Sequence, residues 1–540
     1  MAEEHSPAEL DKQRAARAEA RSELADYLDM SRQRRRLFPR AALVGLIAGG
    51  VAVVFRAMLA AGDLLRNTLL AWARAHPLWG WLPAAIFGMA GAVLAVALVR
   101  RYAPEASGSG IPHLEAVLHR FRELNWQRVL PVKFVGGVLA LGSGLALGRE
   151  GPTVQMGGAI GAALAGWMGA STRERLTLTA AGAGAGLAAA FNAPLAGLVF
   201  VLEEAQRDFR PMVFGAAFLA AAVADIVARL ASGQLPVFAV PSYPAPPLQA
   251  LPIFALLGVA AGLLGALFNR GLLGALDAFA RLGARLALPA AAAVGALAGI
   301  VGWLLPLAVG GGHDLTELAL GGGVALALIP AWFAARFGLT LLSYAIGAPG
   351  GIFAPLLGLG ALLGLAIGQL AHALAPGALP QPAIVAVVGM AAYFTAIVRA
   401  PLTGVVLILE MTGNYEQMLP LLVACFCAYA LAEYLGSLPI YEALLERDLR
   451  RGDQHHALAA PMVIEVEVEP GAPFDRRAVR DLGLPPGCIL VRVRDRGHEW
   501  IPTAATRLEA HMRLTAAIAP EAAEGLVLLR RGCTAPEPPP

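Results

Sequence analysis

Charged residues are scarce in this sequence of 540 residues. They make up 15% of the chain, whereas hydrophobic residues make up 57%, and the mean hydropathy is +0.62. So little charge excludes an ordinary soluble domain, in which about 25% of residues are charged. The net charge of +3 also gives no reason to expect nucleic acid as a partner. This composition is typical of a polytopic helical membrane protein.

Cysteine and lysine are equally scarce. The four cysteines have neither metal-ligand spacing nor the pattern of a secretory disulfide framework, so we expect no metal site and no cofactor. Lysine occurs only as Lys12 and Lys133. The remaining positive charge is arginine, which is typical of a bacterial protein from a GC-rich genome.

Residues 1–40 are charged and helix-prone, and we predict that they form an amphipathic cytoplasmic segment without a cleavable signal. A signal peptide would place its apolar core much nearer the start. Arginines precede the first apolar run and recur after the last one, at Arg447, Arg450 and Arg451. By the positive-inside tendency, both termini are expected in the cytoplasm, with the chain in the bacterial inner membrane.

Apolar stretches recur between residues 41 and 441, where we predict the transmembrane domain. At about 20 residues per crossing, some are too short to span and others are long enough to bend. We therefore expect full, tilted and broken helices. The stretches are Ala41–Val54, Trp81–Val99, Val129–Leu147, Leu176–Leu202, Val213–Leu230, Leu251–Phe268, Ala290–Leu307, Phe353–Leu370, Ala383–Ala392 and Leu419–Tyr434.

One polar motif lies inside this apolar region. Gly148-Arg149-Glu150-Gly151-Pro152 places an ionisable pair between two apolar stretches, at a cost of about 2.5 kcal/mol or more for each charge. Glycine and proline break the helix there, and broken backbone at that depth is tolerated only in protein or beside water. The motif therefore indicates a transport pathway. The alternative is a structural ion pair between Arg149 and Glu150.

The chain also contains an internal repeat. The segments 193–203 and 400–410, APLAGLVFVLE and APLTGVVLILE, are identical at seven of eleven positions. A glycine-rich break precedes each copy, at 148–152 and at 347–355. Paired interruptions in two halves predict a transport site at the repeat interface. The alternative is convergent packing of small residues.

Three glycine-rich motifs each precede a helix-compatible stretch: Gly108-Ser109-Gly110-Ile111-Pro112, Gly148–Pro152 and Gly350-Gly351-Ile352-Phe353-Ala354-Pro355. A helix N-terminus presents unpaired N–H groups and the positive end of the helix dipole. Three such ends meeting at one point would form an anion site without a full positive charge, which suits transport because binding must also allow release.

In this order, the three motifs resemble the CLC family of chloride channels and chloride/proton antiporters, over roughly residues 30–450. The resemblance implies an all-α inverted repeat of tilted and broken helices, assembled as a homodimer with one pore per subunit. It implies chloride binding by Ser109, by the Ile352 and Phe353 amides, and by Tyr441. It gives supporting roles to the residues around them: Arg149, Gly151, Gly108, Gly110, Pro112, Gly351 and Pro355.

The resemblance also assigns two proton-transfer residues. Glu150 resembles the gating glutamate, which competes with chloride when ionised and moves away when protonated. Glu204 aligns with the glutamate through which antiporter members take up cytoplasmic protons. The alternative is that Glu203 and Glu204 only mark a helix end. Glu203 matches Glu410 in the repeat and is expected to be structural, and Glu115 and Lys133 are expected to belong to a polar network.

A small α/β domain is predicted over residues 461–532, after a linker at 442–460 and before a Pro-rich tail at 533–540. We predict strands at Val463–Val468, Cys488–Val493 and Gly525–Leu529, with turns at 470–471 and 485–487. The segments 481–485 and 500–509 resemble the C-terminal regulatory domain of RCK/TrkA-type potassium transport proteins. This resemblance implies a ligand sensor, a dimerisation module, or a folded appendage that only stabilises the dimer.

The sequence thus predicts a secondary active antiporter that exchanges chloride for protons. The first alternative is a passive voltage- or pH-gated chloride channel of the same family, against which the presence of both Glu150 and Glu204 argues. A membrane-embedded enzyme would need a metal cluster or a Ser/His arrangement within the helices, and the sequence shows neither. We therefore predict no catalytic residues.

Overall fold

The computed structural model describes residues 7–207, 209–238, 240–241, 243–377, 379, 381–452, 462–495, 498–519, 522 and 524–534. Within these ranges, eight helices are long and apolar enough to cross a membrane. The protein is therefore a multi-pass membrane protein.

The α-helices of the described chain begin with α1 (Pro7–Arg74), α2 (Trp81–Tyr102), α3 (Ile111–Leu118), α4 (Trp126–Gly142), α5 (Glu150–Trp167), α6 (Thr172–Phe191), α7 (Pro194–Phe200), α8 (Pro211–Ser232) and α9 (Leu251–Arg281). They continue with α10 (Gly283–Leu304), α11 (His313–Leu320), α12 (Ile329–Ala345), α13 (Phe353–Leu374), α14 (Ala383–Val398), α15 (Pro401–Thr412), α16 (Met418–Tyr434), α17 (Ile440–Gly452) and α18 (Glu524–Cys533).

The predicted boundary at residue 40 does not correspond to a break in the chain. Helix α1 continues through Pro39 to Arg74, and a candidate membrane span lies within Gln33–Arg74. Proline removes one backbone hydrogen bond of a helix and does not always end it. The N-terminal segment and the first span are therefore one helix where the structure describes them.

The predicted stretch Leu176–Leu202 is divided in the structure. Helix α6 ends before Asn192, which has φ 50°, and α7 begins at Pro194. The second half repeats this break: α14 ends before Arg399, which has φ 70°, and α15 begins at Pro401. A left-handed residue ends a helix, and proline suits the first turn of the next one. The repeated sequence thus has a repeated geometry.

Glycines allow close packing between helices in both halves. A Cβ at Gly157 of α5 would lie 2.1 Å from the carbonyl oxygen of Gly182 in α6. In the second half, a Cβ at Gly360 of α13 would lie 2.3 Å from the carbonyl oxygen of Gly389 in α14. Small residues let membrane helices approach closely. The helices α5 and α13, which begin at the glycine-rich motifs, are held in this way.

A second compact unit comprises residues 112–124 and 442–540. Its described part contains an antiparallel sheet in the order β1-β4-β2-β3. The strands are β1 (Met462–Glu467), β2 (Cys488–Asp495), β3 (His498–Trp500) and β4 (Arg513–Ile518). The strands predicted at 463–468 and 488–493, and the turns at 470–471 and 485–487, are confirmed. Strands β3 and β4 were not predicted from the sequence.

The strand predicted over Gly525–Leu529 is wrong, because this segment lies in helix α18. Its buried residues Gly525, Leu529, Gly532 and Cys533 recur at helical spacing and form one helical face. A short apolar run does not distinguish a strand from a helix by composition alone. The first part of the predicted linker, residues 442–452, lies in helix α17, which ends at Gly452. Residues 453–460 and 535–540 lie outside the described residues.

The second unit includes a segment that was predicted to belong to the transmembrane domain. Phe121 is partly buried against the hydrophobic core of the small domain, which includes Val468 and Leu514. The Arg122 Nη2 donates a hydrogen bond to the carbonyl oxygen of Asp448, at 3.2 Å. The loop that follows α3 is therefore part of the small domain's packing.

Candidate functional site

The three glycine-rich motifs are hydrogen-bonded to one another. Gly148 and Gly351 exchange two backbone hydrogen bonds, with N–O distances of 2.7 and 2.8 Å. The Gly350 N–H donates to the carbonyl oxygen of Gly108, at 2.9 Å. Residues 203 apart (Gly148 and Gly351) and 242 apart (Gly108 and Gly350) in the sequence thus meet at one point, as predicted.

Helix N-termini converge at this meeting point. Helices α3, α5 and α13 begin at Ile111, Glu150 and Phe353, directly after the three glycine runs. The first turn of α13 closes with a hydrogen bond from Leu356 N–H to the carbonyl oxygen of Ile352, at 2.9 Å. The amides of Ile352 and Phe353 precede that bond and have no partner within the helix. This arrangement favours an anion.

The glycines are required because neighbouring backbones approach too closely for a side chain. A Cβ at Gly151 would lie 2.9 Å from Ser109 atoms, and a Cβ at Gly351 would lie 2.8 Å from Glu150 Oε1. Gly108 and Gly110 have φ values of 59° and 81°, which side chains rarely adopt. The buried prolines Pro112 and Pro355 lie in the first turns of their helices, where proline fits.

Ser109 is fully buried and interacts with Tyr344, which was not predicted from the sequence. Its Oγ accepts hydrogen bonds from the Ile111 N–H at 3.3 Å and from the Tyr344 hydroxyl at 3.5 Å. The Ser109 N–H donates to the same Tyr344 hydroxyl, at 3.4 Å. Tyr344 lies in α12, three residues before Gly347. Only the fold brings it to Ser109.

Glu150 is fully buried, and its carboxylate lies at the N-terminus of another helix. The Oε1 accepts a hydrogen bond from the Ala354 N–H in the first turn of α13, at 2.9 Å. Arg149 points elsewhere, and its Nη2 donates to the carbonyl oxygen of Ala190 at 3.1 Å. These contacts disfavour a simple Arg149–Glu150 ion pair. The carboxylate occupies a position that suits an anion.

Apolar rings surround the start of α13. The Phe353 ring lies 5.7 Å from that of Phe191 and 4.3 Å from that of Phe394, measured between centroids. All three side chains are almost fully buried. A dry surrounding strengthens the attraction between backbone dipoles and an anion.

A buried lysine supports the first motif. The Lys133 Nζ donates to the carbonyl oxygens of Ala106 and Gly108, at 3.0 and 2.7 Å, and the side chain is fully buried. Lys133 therefore holds the loop that carries Ser109. This agrees with the expected structural role and differs from a ligand role.

Tyr441 and Glu204 are also buried. Tyr441 is fully buried in the first turn of α17, and its role as an anion ligand stays a prediction. Glu204 is 3% exposed and lies in a single π-helical turn, Val201–Ala205. Its Oε2 lies 3.9 Å from Arg207 Nη2. π-Helical turns are frequent at functional sites.

The chain is similar to known families and proteins over most of its length. The pattern of the family described as voltage gated chloride channel matches residues 90–433, and that of the TrkA-C domain matches residues 463–527. The chain is 42% identical to the H(+)/Cl(−) exchange transporter ClcA of Salmonella paratyphi A over 423 residues, which is 77% of this chain and 89% of the relative. The same identity and coverage hold for ClcA of Citrobacter koseri.

Solved structures are also similar to this chain. A slow cyanobacterial Cl−/H+ antiporter has a TM-score of 0.75 and 40% identity, over 78% of this chain and 99% of the other. A eukaryotic CLC transporter shares the fold, with a TM-score of 0.66 and 24% identity over 82% of this chain and 79% of the other. The chain belongs to the CLC family and carries a TrkA-C domain on the C-terminal side of its membrane helices.

Proposed function

We propose that the protein is a secondary active antiporter that exchanges chloride for protons. The observation that carries this proposal is the hydrogen bond from the Ala354 N–H to the Glu150 carboxylate. A movable carboxylate there occupies the N-terminus of α13, next to the loop that carries Ser109. The same helix end also suits a halide.

The carboxylate provides a physical basis for coupling. When Glu150 is ionised, it accepts the α13 amide hydrogen bond and competes with chloride for the helix dipole. When it is protonated, its charge is lost and the dipole no longer favours it over an anion. Chloride then takes the position between Ser109 and the amides of Ile352 and Phe353. The ionised Glu150 carboxylate and a bound chloride therefore exclude one another at this site.

We propose that Glu204 passes protons between Glu150 and the cytoplasm. Its carboxylate is buried, with Oε2 3.9 Å from Arg207 Nη2. A buried ionisable group in a membrane protein marks a proton or ion route. A passive chloride channel is the alternative, and it has no need of a second buried carboxylate. Exchange is also the activity for which the relative ClcA is named, and the cyanobacterial protein is described as an antiporter.

Flux measurements test the exchange. Purified protein in liposomes is given a chloride gradient, and the external pH is recorded without a proton gradient. We expect uphill proton movement that collapses when the chloride gradient is removed. Chloride flux without proton movement would establish the channel alternative. Among the described residues no group of three or more His, Cys, Asp or Glu side chains could hold a metal ion.

We propose that the protein acts as a homodimer in the bacterial inner membrane, with one pore per subunit and both termini in the cytoplasm. The arginines that precede the first span and those near Arg447 support this orientation. Cysteine labelling of an engineered residue 447 in sealed cells tests it. Labelling by a membrane-impermeant reagent from outside would contradict the orientation. Size-exclusion chromatography with light scattering tests the dimer.

We further propose that the TrkA-C domain regulates transport in response to a cytoplasmic ligand. Helix α3 begins two residues after Ser109 and leads to Phe121, which packs on the core of this domain. Helix α17 carries Tyr441 in its first turn and contains Asp448, which accepts the Arg122 hydrogen bond. Two chain segments thus connect the domain to predicted anion ligands.

A further inference from the structure

The two halves of the membrane domain each contain a buried cation that holds a glycine loop. Lys133 donates to the carbonyl oxygens of Ala106 and Gly108. Arg336 donates through Nη1 to those of Ala308 and Gly310, at 3.0 and 2.7 Å. Lys133 is fully buried and Arg336 is 1% exposed. In both halves the two acceptors are separated by two positions.

The first and last glycines of the two loops have similar positive φ values. Gly108 and Gly110 have φ values of 59° and 81°, and Gly310 and Gly312 have φ values of 66° and 78°. Each loop leads into a helix of eight residues, α3 or α11. Gly310-Gly311-Gly312 is therefore the repeat counterpart of Gly108-Ser109-Gly110. In an inverted repeat, corresponding elements face opposite sides of the membrane, so we expect the two loops to open toward opposite sides.

The second loop borders a cavity of about 420 Å³. Four arginines and two aspartates line this cavity, so positive charge exceeds negative charge there. The lining residues that matter are Arg56, Arg66, Arg74, Arg149, Asp63, Asp314, Gly311 and Gly312. Asp63 is engaged by Arg66, with Nη1 and Oδ1 2.6 Å apart. The Asp314 side chain is exposed to solvent, where its charge is screened.

Arg336 has hydrogen-bonding capacity to spare beside this loop. Its Nε and Nη2 are buried and have no hydrogen-bond partner among the described residues. A Cβ at Gly312 would lie 2.5 Å from Nη2 and 3.1 Å from Nε, so both donors face the glycine that borders the cavity. An uncompensated buried guanidinium is costly. A nearby anion would compensate it.

The helix that follows offers further donors. The first turn of α11 closes with the Thr316 N–H, which donates to the carbonyl oxygen of Gly312 at 3.0 Å. The amides of His313, Asp314 and Leu315 precede that bond and have no partner within the helix. The helix end, the buried Arg336 and the arginine-lined cavity therefore favour the same sign of ligand.

We propose that the loop Gly310-Gly311-Gly312 and the start of α11 form a second anion site for a monovalent anion such as chloride. This inference rests on the proposed function, since it gives the transported anion a capture site on the side of the membrane opposite the Ser109 loop. Gly311 replaces Ser109 in the repeat and supplies no hydroxyl. The site therefore holds its anion with more of the hydration shell retained, and more weakly.

Gly311 offers a matched pair of variants. A Cβ there meets no atom within 4 Å, and its φ is not in the left-handed region. Gly311→Asp places a carboxylate at the site, and Gly311→Asn places a neutral group of the same size. Gly311 is not part of the Ser109 and Glu150 site, so neither substitution changes a residue of that site.

Crystals of the full chain grown in bromide test the proposal through the anomalous signal of bromide. We expect a peak within hydrogen-bonding distance of the 311–314 amides in the native protein and in Gly311→Asn, and none in Gly311→Asp. A missing peak in the native protein, or a peak that persists in Gly311→Asp, overturns the second site. Bromide at the Ser109 site is scored separately. The absence of bromide at the Ser109 site contradicts the proposed function. The second site is judged only by the peak at the 311–314 amides.

Flux supplies a second measurement. In liposomes with one protein orientation selected by a sided inhibitor or label, Gly311→Asp raises the chloride concentration for half-maximal flux from the cavity side. We expect about fivefold, as for like charges about 4 Å apart in water. Gly311→Asn stays near the native value, and so does either variant from the opposite side. Equal values for Asp and Asn would overturn the proposal.

Discussion

Glu203 and Glu410 cap each other's helices. Glu203 caps α15, which contains Glu410, and Glu410 caps α7, which leads into the turn that contains Glu203. The Glu203 carboxylate accepts hydrogen bonds from the N–H groups of Leu402 and Thr403, at 3.0 and 2.6 Å, in the first turn of α15. The Glu410 carboxylate accepts those of Leu195 and Ala196, at 3.1 and 2.8 Å, in the first turn of α7. The repeat is therefore joined at its centre by two reciprocal caps, as expected for a structural Glu203.

Replacing either cap should lower stability. Glu203→Ala or Glu410→Ala leaves two backbone N–H groups without their acceptor, and we expect a loss of about 1–3 kcal/mol for each. The readout is the melting temperature in detergent, together with the proton-to-chloride ratio in liposomes. We expect a lower melting temperature and an unchanged ratio. A changed ratio at native stability would contradict the structural role.

The neighbouring Glu204 should behave in the opposite way. Glu204→Gln keeps the shape of the side chain and removes its proton exchange, so proton movement stops while chloride flux continues. The measurement is proton flux against chloride flux in the same liposomes. Glu203→Gln is the matched control, because it changes an adjacent carboxylate and should retain coupling. Coupled transport in Glu204→Gln would mean that Glu204 marks only a helix end.

Glu150→Ala should uncouple the two ions at the central site. Without the carboxylate, chloride has no competitor at the N-terminus of α13, and no group there carries the proton. We expect the reversal potential of the reconstituted protein to move to the chloride equilibrium potential and to lose its dependence on pH. Bromide occupancy beside Ala354 should increase in crystals of the variant. Proton transport at the native rate would rule out the gating role.

Part of this site was accessible from sequence because its chemistry is local. Glycine runs before apolar helices predicted three helix N-termini, and the copies around Ala193 and Ala400 predicted two repeated halves with a transport site at their interface. Tyr344 was missed because an aromatic residue near a helix end has no local signal, and its contact with Ser109 depends on the tertiary fold. Residues 525–529 were assigned to a strand because a short apolar run lacks a decisive period.

Tyr344 should act through the position of Ser109. Its hydroxyl contacts both the N–H and the Oγ of Ser109, so Tyr344→Phe removes a donor and an acceptor while the ring is kept. We expect chloride affinity, measured by calorimetry, to fall by about fivefold, since a net hydrogen bond contributes about 1 kcal/mol. Coupling should persist. The chloride affinity of Tyr441→Phe is measured for comparison, because the predicted role of Tyr441 is direct contact with the anion.

Phe121 provides a test of regulation by the small domain. Its side chain packs against the core of that domain, and it lies in the loop that leads back to Ser109. Phe121→Ala removes this packing without changing a predicted anion ligand. We expect the basal exchange rate of Phe121→Ala to stay native. We expect any regulated change in the exchange rate to be altered in the same way by Phe121→Ala and by deletion of the domain after Gly452. Native regulation in Phe121→Ala would contradict this route.

The folding of the small domain in Phe121→Ala can be followed through its own thiol. Burial, with a smaller contribution from the charge of Glu469, raises the pKa of Cys533 to about 11. The thiol is therefore protonated at neutral pH and reacts slowly while the domain is folded. Alkylation followed by peptide mass spectrometry should give equally slow modification of Cys533 in native protein and in Phe121→Ala. Rapid modification would mean that the substitution unfolds the domain, and Arg122→Ala, which removes only the hydrogen bond to Asp448, then replaces it as the test of regulation.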